Sequence, residues 1–141
     1  MNQKAPFIVL IVSPSSGVGQ STLAQNLPVY LKGLAEELPV AYLSSDAAAT
    51  GKMFALPGQA CKVLSAMPQG DLLADALTFG EFGVEFACTG EAVSAWSDSE
   101  LQQTLLRANF PGMLLFDLNA DDLFLMKLLA AAYFLLVPVK D

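Results

Sequence analysis

The sequence predicts an α/β domain with a mostly parallel central sheet and helices on both faces. Continuous apolar runs of strand length recur along the chain, they alternate with segments of helical periodicity, and a glycine-bearing turn joins the first apolar run to the first helical pattern. A strand with one solvated face alternates apolar and polar residues. These runs are apolar throughout, which is the signature of a sheet covered on both sides.

Taken in order, Phe7-Ile8-Val9-Leu10-Ile11-Val12 predicts a strand over Phe7–Ser13. A helix is expected over Gln20–Leu38, opened by Ser21 and Thr22, with Pro28 inside it to kink or shorten it. Further strands are expected over Val40–Ser45, Val84–Ala87, Met113–Leu118 and Phe134–Val139, and further helices over Asp71–Phe79, Asp98–Asn109 and Asp121–Ala131. Ser97-Asp98-Ser99-Glu100 has the spacing of a capping box and marks a helix start. The stretch from Ala47 to Gly70 carries Pro57, Pro68 and glycines, and reads as loop or irregular helix. Phe7–Ser13 and Met113–Leu118 are expected as neighbouring central strands, because that arrangement opens a ligand crevice at their C-terminal ends.

The chemistry concentrates in Ser13-Pro14-Ser15-Ser16-Gly17-Val18-Gly19-Gln20-Ser21-Thr22. A strand, a glycine loop and a helix in succession bind phosphate through backbone N–H groups and the positive end of the helix dipole, neither of which needs a charged side chain. Gly17 and Gly19 permit close backbone approach, and they serve equally well in a plain strand-to-helix turn. The lysine that normally reaches the terminal phosphates falls at Gln20, which carries no charge, and the first glycine of the G-x-x-x-x-G-K-S pattern falls at Pro14.

The run Ser16 to Thr22 resembles the deviant phosphate loop of the ParA/MinD family of P-loop ATPases, written K-G-G-V-G-K-[ST]-T. Gly17, Val18, Gly19, Ser21 and Thr22 match, whereas Ser15 and Gln20 stand at the two lysines and Ser16 at a glycine. Leu38 to Asp46 is similar to the family's second strand, which ends in D-x-D; Ser44 replaces the first aspartate and Asp46 keeps the second. Met113 to Leu118 resembles the Walker B strand, with Asp117 as its aspartate, and Ala130 to Val139 resembles the helix end and strand that close on V-P-V.

The resemblance implies a single three-layer P-loop NTPase-like domain over residues 1–141, lacking the C-terminal part of the family domain. It implies nucleotide contacts from Ser16, Gly17, Val18, Gly19, Gln20, Ser21 and Thr22, and Mg²⁺ contacts from Ser21, Asp46 and Asp117 if Mg-nucleotide binds at all. Asp46, Asp117 and Ser21 have equally ordinary roles at strand ends and helix starts. Losing two charge-assisted contacts costs roughly 3–6 kcal/mol, about 10²–10⁴-fold in affinity. Hydrolysis suffers more, since charge neutralisation on the phosphates is most of what such enzymes do.

Composition sets the remaining expectations. Charged residues make up 15% of the chain and apolar ones 54%, against roughly 25% charged in an average domain, so part of the apolar surface is expected to meet a protein partner or a second copy. A net charge of −7 with 7 scattered Lys and Arg argues against nucleic acid. There is no His, and Cys61 and Cys88 are far apart in sequence, so zinc has no sequence basis and two free cytoplasmic thiols are expected. The apolar stretch from Leu123 to Val139 is interrupted by Lys127 and Pro138, and reads as buried helix and strand rather than a membrane insertion.

The expected protein is thus a weak or inactive ATPase of ParA/MinD type, binding ATP or ADP with Mg²⁺ feebly or not at all. It works by protein–protein interaction in positioning, partition or envelope assembly in a bacterial cytoplasm. The alternatives are an active ATP-dependent switch or ligase-like enzyme of the same superfamily, with charge supplied by Lys52 or a partner, and a relative in fold only.

Overall fold

A computed structural model describes residues 6–13, 20–64, 72–90, 109–119 and 134–136. The described elements are β1 (Phe7–Ser13), α1 (Gln20–Leu34), β2 (Val40–Ser44), α2 (Ala47–Phe54), a 3-10 turn at Leu73–Ala76, β3 (Thr78–Phe79), a second 3-10 turn at Glu81–Gly83, β4 (Glu85–Cys88), β5 (Met113–Asn119) and β6 (Phe134–Leu136). The strands form one sheet in the order β3-β4-β2-β5-β1-β6. All neighbours are parallel except the edge pair β3 and β4. The fold is therefore α/β with a mostly parallel sheet.

β1 and β5 pair in parallel along their whole length, from Phe7 opposite Met113 to Ser13 opposite Asn119. Their apolar runs serve two cores at once. Ile8, Leu10, Val12, Leu114, Phe116 and Leu118 enter one cluster with Leu64, Leu73, Leu77 and Phe110. Val9, Ile11 and Leu115 enter the other, with Ala24 of α1, Phe54 of α2, Tyr42 and Phe86. Because successive residues of a strand point to opposite faces, a strand buried on both is apolar at nearly every position, Asp117 of β5 being a buried exception.

Several elements differ from expectation. α1 passes through Pro28 and stops at Leu34; Leu38 precedes Pro39, a position biased away from helix, and its carbonyl accepts from Lys32 Nζ at 2.9 Å. The helix expected at 71–79 is a 3-10 turn followed by strand. Leu73, Ala76 and Leu77 are buried and mimic a helical period, but Thr78 and Phe79 are drawn into antiparallel pairing with Phe86 and Glu85. β4 is displaced by one residue, since the Val84 amide is taken by the carbonyl of Glu81 and its own carbonyl by Gly80. Helix α2 occupies part of the stretch expected to be irregular, started by Asp46, whose carboxylate accepts from the Ala49 amide at 3.0 Å. The helices expected at 98–109 and 121–131 lie outside the described residues, save Asn109.

Two glycines are required by space. A Cβ at Gly112 would stand 2.0 Å from the carbonyl oxygen of Pro39, and one at Gly80 would stand 2.2 Å from that of Phe54. Both oxygens are backbone, so neither can swing away. Gly112→Ala and Gly80→Ala are expected to lose about 2–4 kcal/mol each in urea unfolding. Gly33→Ala, with nothing within 4 Å and an exposed helical position, should gain about 0.5–1 kcal/mol.

Candidate functional site

The strand order places a reversal at the centre of the sheet. From β1 the chain crosses by α1 to β2 on one side, and from β5 the next described strand, β6, lies on the other side, across β1. Connections that leave neighbouring parallel strands in opposite directions open a crevice at the strands' C-terminal ends. β1 enters that crevice at Ser13 and α1 leaves it at Gln20. Ser16, Gly17, Val18 and Gly19 lie outside the described residues. Gln20, Ser21 and Thr22 form the first turn of α1, so the backbone of the predicted loop's second half begins a helix.

Asp117 stands at the same end of the sheet, on β5, opposite Ile11 of β1 and Ser44 of β2. It is 8% exposed. Its Oδ2 accepts a hydrogen bond from the Tyr42 hydroxyl at 2.5 Å. The Tyr42 ring is buried beside Phe54 of α2, ring centroids 5.1 Å apart. Burial pushes the Tyr42 hydroxyl far above the ordinary tyrosine range, and the neighbouring Asp117 charge and their hydrogen bond push it the same way; the Ser44 and Gln25 side chains pull against them. Gln25 of α1, Tyr42 and Ser44 of β2, and Asp117 of β5 thus form one polar group beneath the two helices.

Asp46 takes a different part. It is exposed and caps α2, while its carbonyl accepts from the Thr50 amide at 3.1 Å and the Thr50 hydroxyl at 2.7 Å. Its amide donates to Ser44 Oγ at 3.1 Å. Both carboxylates that the resemblance assigns to Mg²⁺ are accordingly engaged by protein donors. Among the described residues no three Asp, Glu, Cys or His side chains gather to hold a metal ion. No helix among them is long and apolar enough to cross a membrane.

The sequence did not single out Tyr42 or Gln25. Tyr42 carried a signal, being a hydroxyl-bearing ring in an apolar strand two residues before Ser44, hence on its face; a buried tyrosine hydroxyl needs a partner. Cys61 and Cys88, distant in sequence, are neighbours in space. The Cys88 amide donates to the Lys62 carbonyl at 2.8 Å and its thiol to the Ser45 carbonyl at 3.5 Å. Burial, with the adjacent Cys88 thiol, pushes the Cys61 thiol up to about 11.

No protein-family model matches this chain, and no curated protein sequence matches it.

The Tyr42 proton is bound more tightly in the folded chain than in the unfolded one, so its contribution to stability is complete below the usual 10.0 and is lost as pH rises beyond it. The unfolding free energy should therefore fall above about pH 10, and fall less steeply in Tyr42→Phe, measured by urea unfolding at a series of pH values. Alkylation of Cys61 by iodoacetamide, followed by peptide mass spectrometry, should be slow at neutral pH and rise about tenfold per pH unit toward its titration, because only the thiolate reacts.

Proposed function

We propose that this chain is a degenerate P-loop domain of ParA/MinD type, three-layered around the parallel sheet, that acts through protein contacts rather than ATP hydrolysis. The observation that carries the reading is the pairing of β1 with β5 at the reversal of strand order. That pairing puts the end of the strand before the glycine loop beside the end of the strand bearing Asp117, where α/β sheets bind their ligands. The residues that the resemblance assigns to the nucleotide and its metal argue against Mg²⁺-dependent chemistry. Gln20 and Ser15 replace the lysines, Asp117 is held by Tyr42, and Asp46 caps a helix. Lys52, the lysine that the active-switch alternative would use, lies six residues beyond Asp46 in the last turn of α2, about 9 Å further along the helix axis.

Protein contact has its own support. Tyr30 and Leu34 lie one turn apart on α1 at 64% and 67% exposure, and Phe79 and Phe82 flank Gly80 at 61% and 54%. Phe82 has φ 61°, a left-handed conformation that costs a bulky residue free energy. Four bulky apolar side chains facing solvent on a chain so poor in charge suit a protein-binding surface.

Titration calorimetry tests the reading, with ATP added in chelator and in Mg²⁺. Wild-type protein should bind ATP in the millimolar range or not at all, and Mg²⁺ should not improve it. Gln20→Lys should tighten binding about tenfold or more, for ATP more than AMP, because the loop's backbone donors and the helix dipole need no side-chain charge. Sedimentation should show self-association that ATP does not alter. Micromolar Mg-ATP binding with hydrolysis by the wild-type chain would overturn the reading in favour of an active switch.

A further inference from the structure

The engagement of Asp117 by a tyrosine has a consequence for metal ions. We infer that Tyr42 is a positioning residue that locks Asp117 within the sheet and so keeps divalent cations out of the crevice. The inference rests on the proposed function only in taking the C-terminal end of β1 and β5 as the ligand crevice.

The lock follows from register. Ser44 lies opposite Asp117, and Tyr42 opposite Leu115, one pair further back on the same face. Two residues along a parallel strand span about 6.6 Å, a gap that a long rigid side chain bridges and a short one does not. The Tyr42 ring is 1% exposed and is held against Phe54, so the hydroxyl has little freedom to leave. Were Asp117 to turn outward to a cation, it would abandon a buried hydroxyl, and a buried donor without a partner is costly.

Among the described residues, the other side-chain oxygens near Asp117 are engaged as well. Ser44, at the position of the missing aspartate, is 5% exposed and its hydroxyl accepts from the Asp46 amide. The Asp46 carboxylate is directed to the first turn of α2. Magnesium demands near-octahedral oxygen geometry and keeps several of its waters, so it is ill served by a carboxylate that is buried and already bonded.

The probe is Mn²⁺ alone, titrated into the full chain without nucleotide and followed by the paramagnetic resonance of the free ion. Tyr42→Phe keeps the ring and removes the hydroxyl. It should bind one Mn²⁺ about ten- to a hundredfold more tightly than wild type, and the gain should vanish in Tyr42→Phe with Asp117→Asn. Asp117→Asn alone should leave the wild-type Mn²⁺ titration unchanged, because a locked carboxylate contributes nothing to lose. That arm stands even if Tyr42→Phe fails to fold. Weaker Mn²⁺ binding in Asp117→Asn alone, or no gain in a folded Tyr42→Phe, overturns the lock. Nucleotide is absent throughout, so failure of the proposed function is registered separately, by the ATP titration in chelator.

Discussion

The pairing of β1 with β5 is the constraint on which the remaining structure depends. Seven residues of each strand stay in register, and both strands are buried on both faces, so each must be apolar along its length. Polar chemistry is then pushed to the strand ends, where Ser13 and Asp117 stand. Asp117 is the exception within the apolar run, and its burial demands a donor. Tyr42 supplies it from the neighbouring strand at 2.5 Å. Removing Tyr42 would therefore affect the sheet as well as the crevice, because the ring fills the core beneath α1 and α2 while the hydroxyl satisfies the strand end.

The same demand for satisfaction explains the turn from β2 into α2. Ser44, Asp46 and Thr50 exchange hydrogen bonds over one helical turn. Cys88 and the Thr89 amide close on the carbonyls of Ser45 and Ser44 from β4. The opposite case is at the sheet edge, where the Thr78 hydroxyl is buried without a partner among the described residues. Among the described residues the polar groups of Ser44, Asp46 and Asp117 are hydrogen-bonded, whereas beside β3 the rings of Phe79 and Phe82 are exposed and Phe82 is left-handed.

Much of the frame was legible in the residues. β1 and β5 are continuous apolar runs of strand length, and their limits agree with expectation at every end except Asn119, because burial on both faces leaves an unbroken signal. Elements at the margin were harder to read. Leu73, Ala76 and Leu77 are spaced as on a helix, yet the chain leaves them for an edge strand whose two pairs are made with residues that follow it. Helix α2 was hidden among prolines and glycines, although Asp46 marked its start. Local pattern yields to pairing when the partner lies elsewhere in the chain.

The sequence by itself determined the α/β class, the alternation of strand and helix, the glycine-bearing run between β1 and α1, and Asp117 near the end of an apolar strand. These follow from periodicity and residue chemistry, which are local properties. Only the tertiary structure decided that β5 lies between β1 and β2, which sets Tyr42 and Asp117 on one face two positions apart. It alone decided that Cys61 and Cys88 are neighbours. Such facts depend on strand order and register, and register is fixed by burying complementary surfaces from distant segments rather than by any one segment's composition.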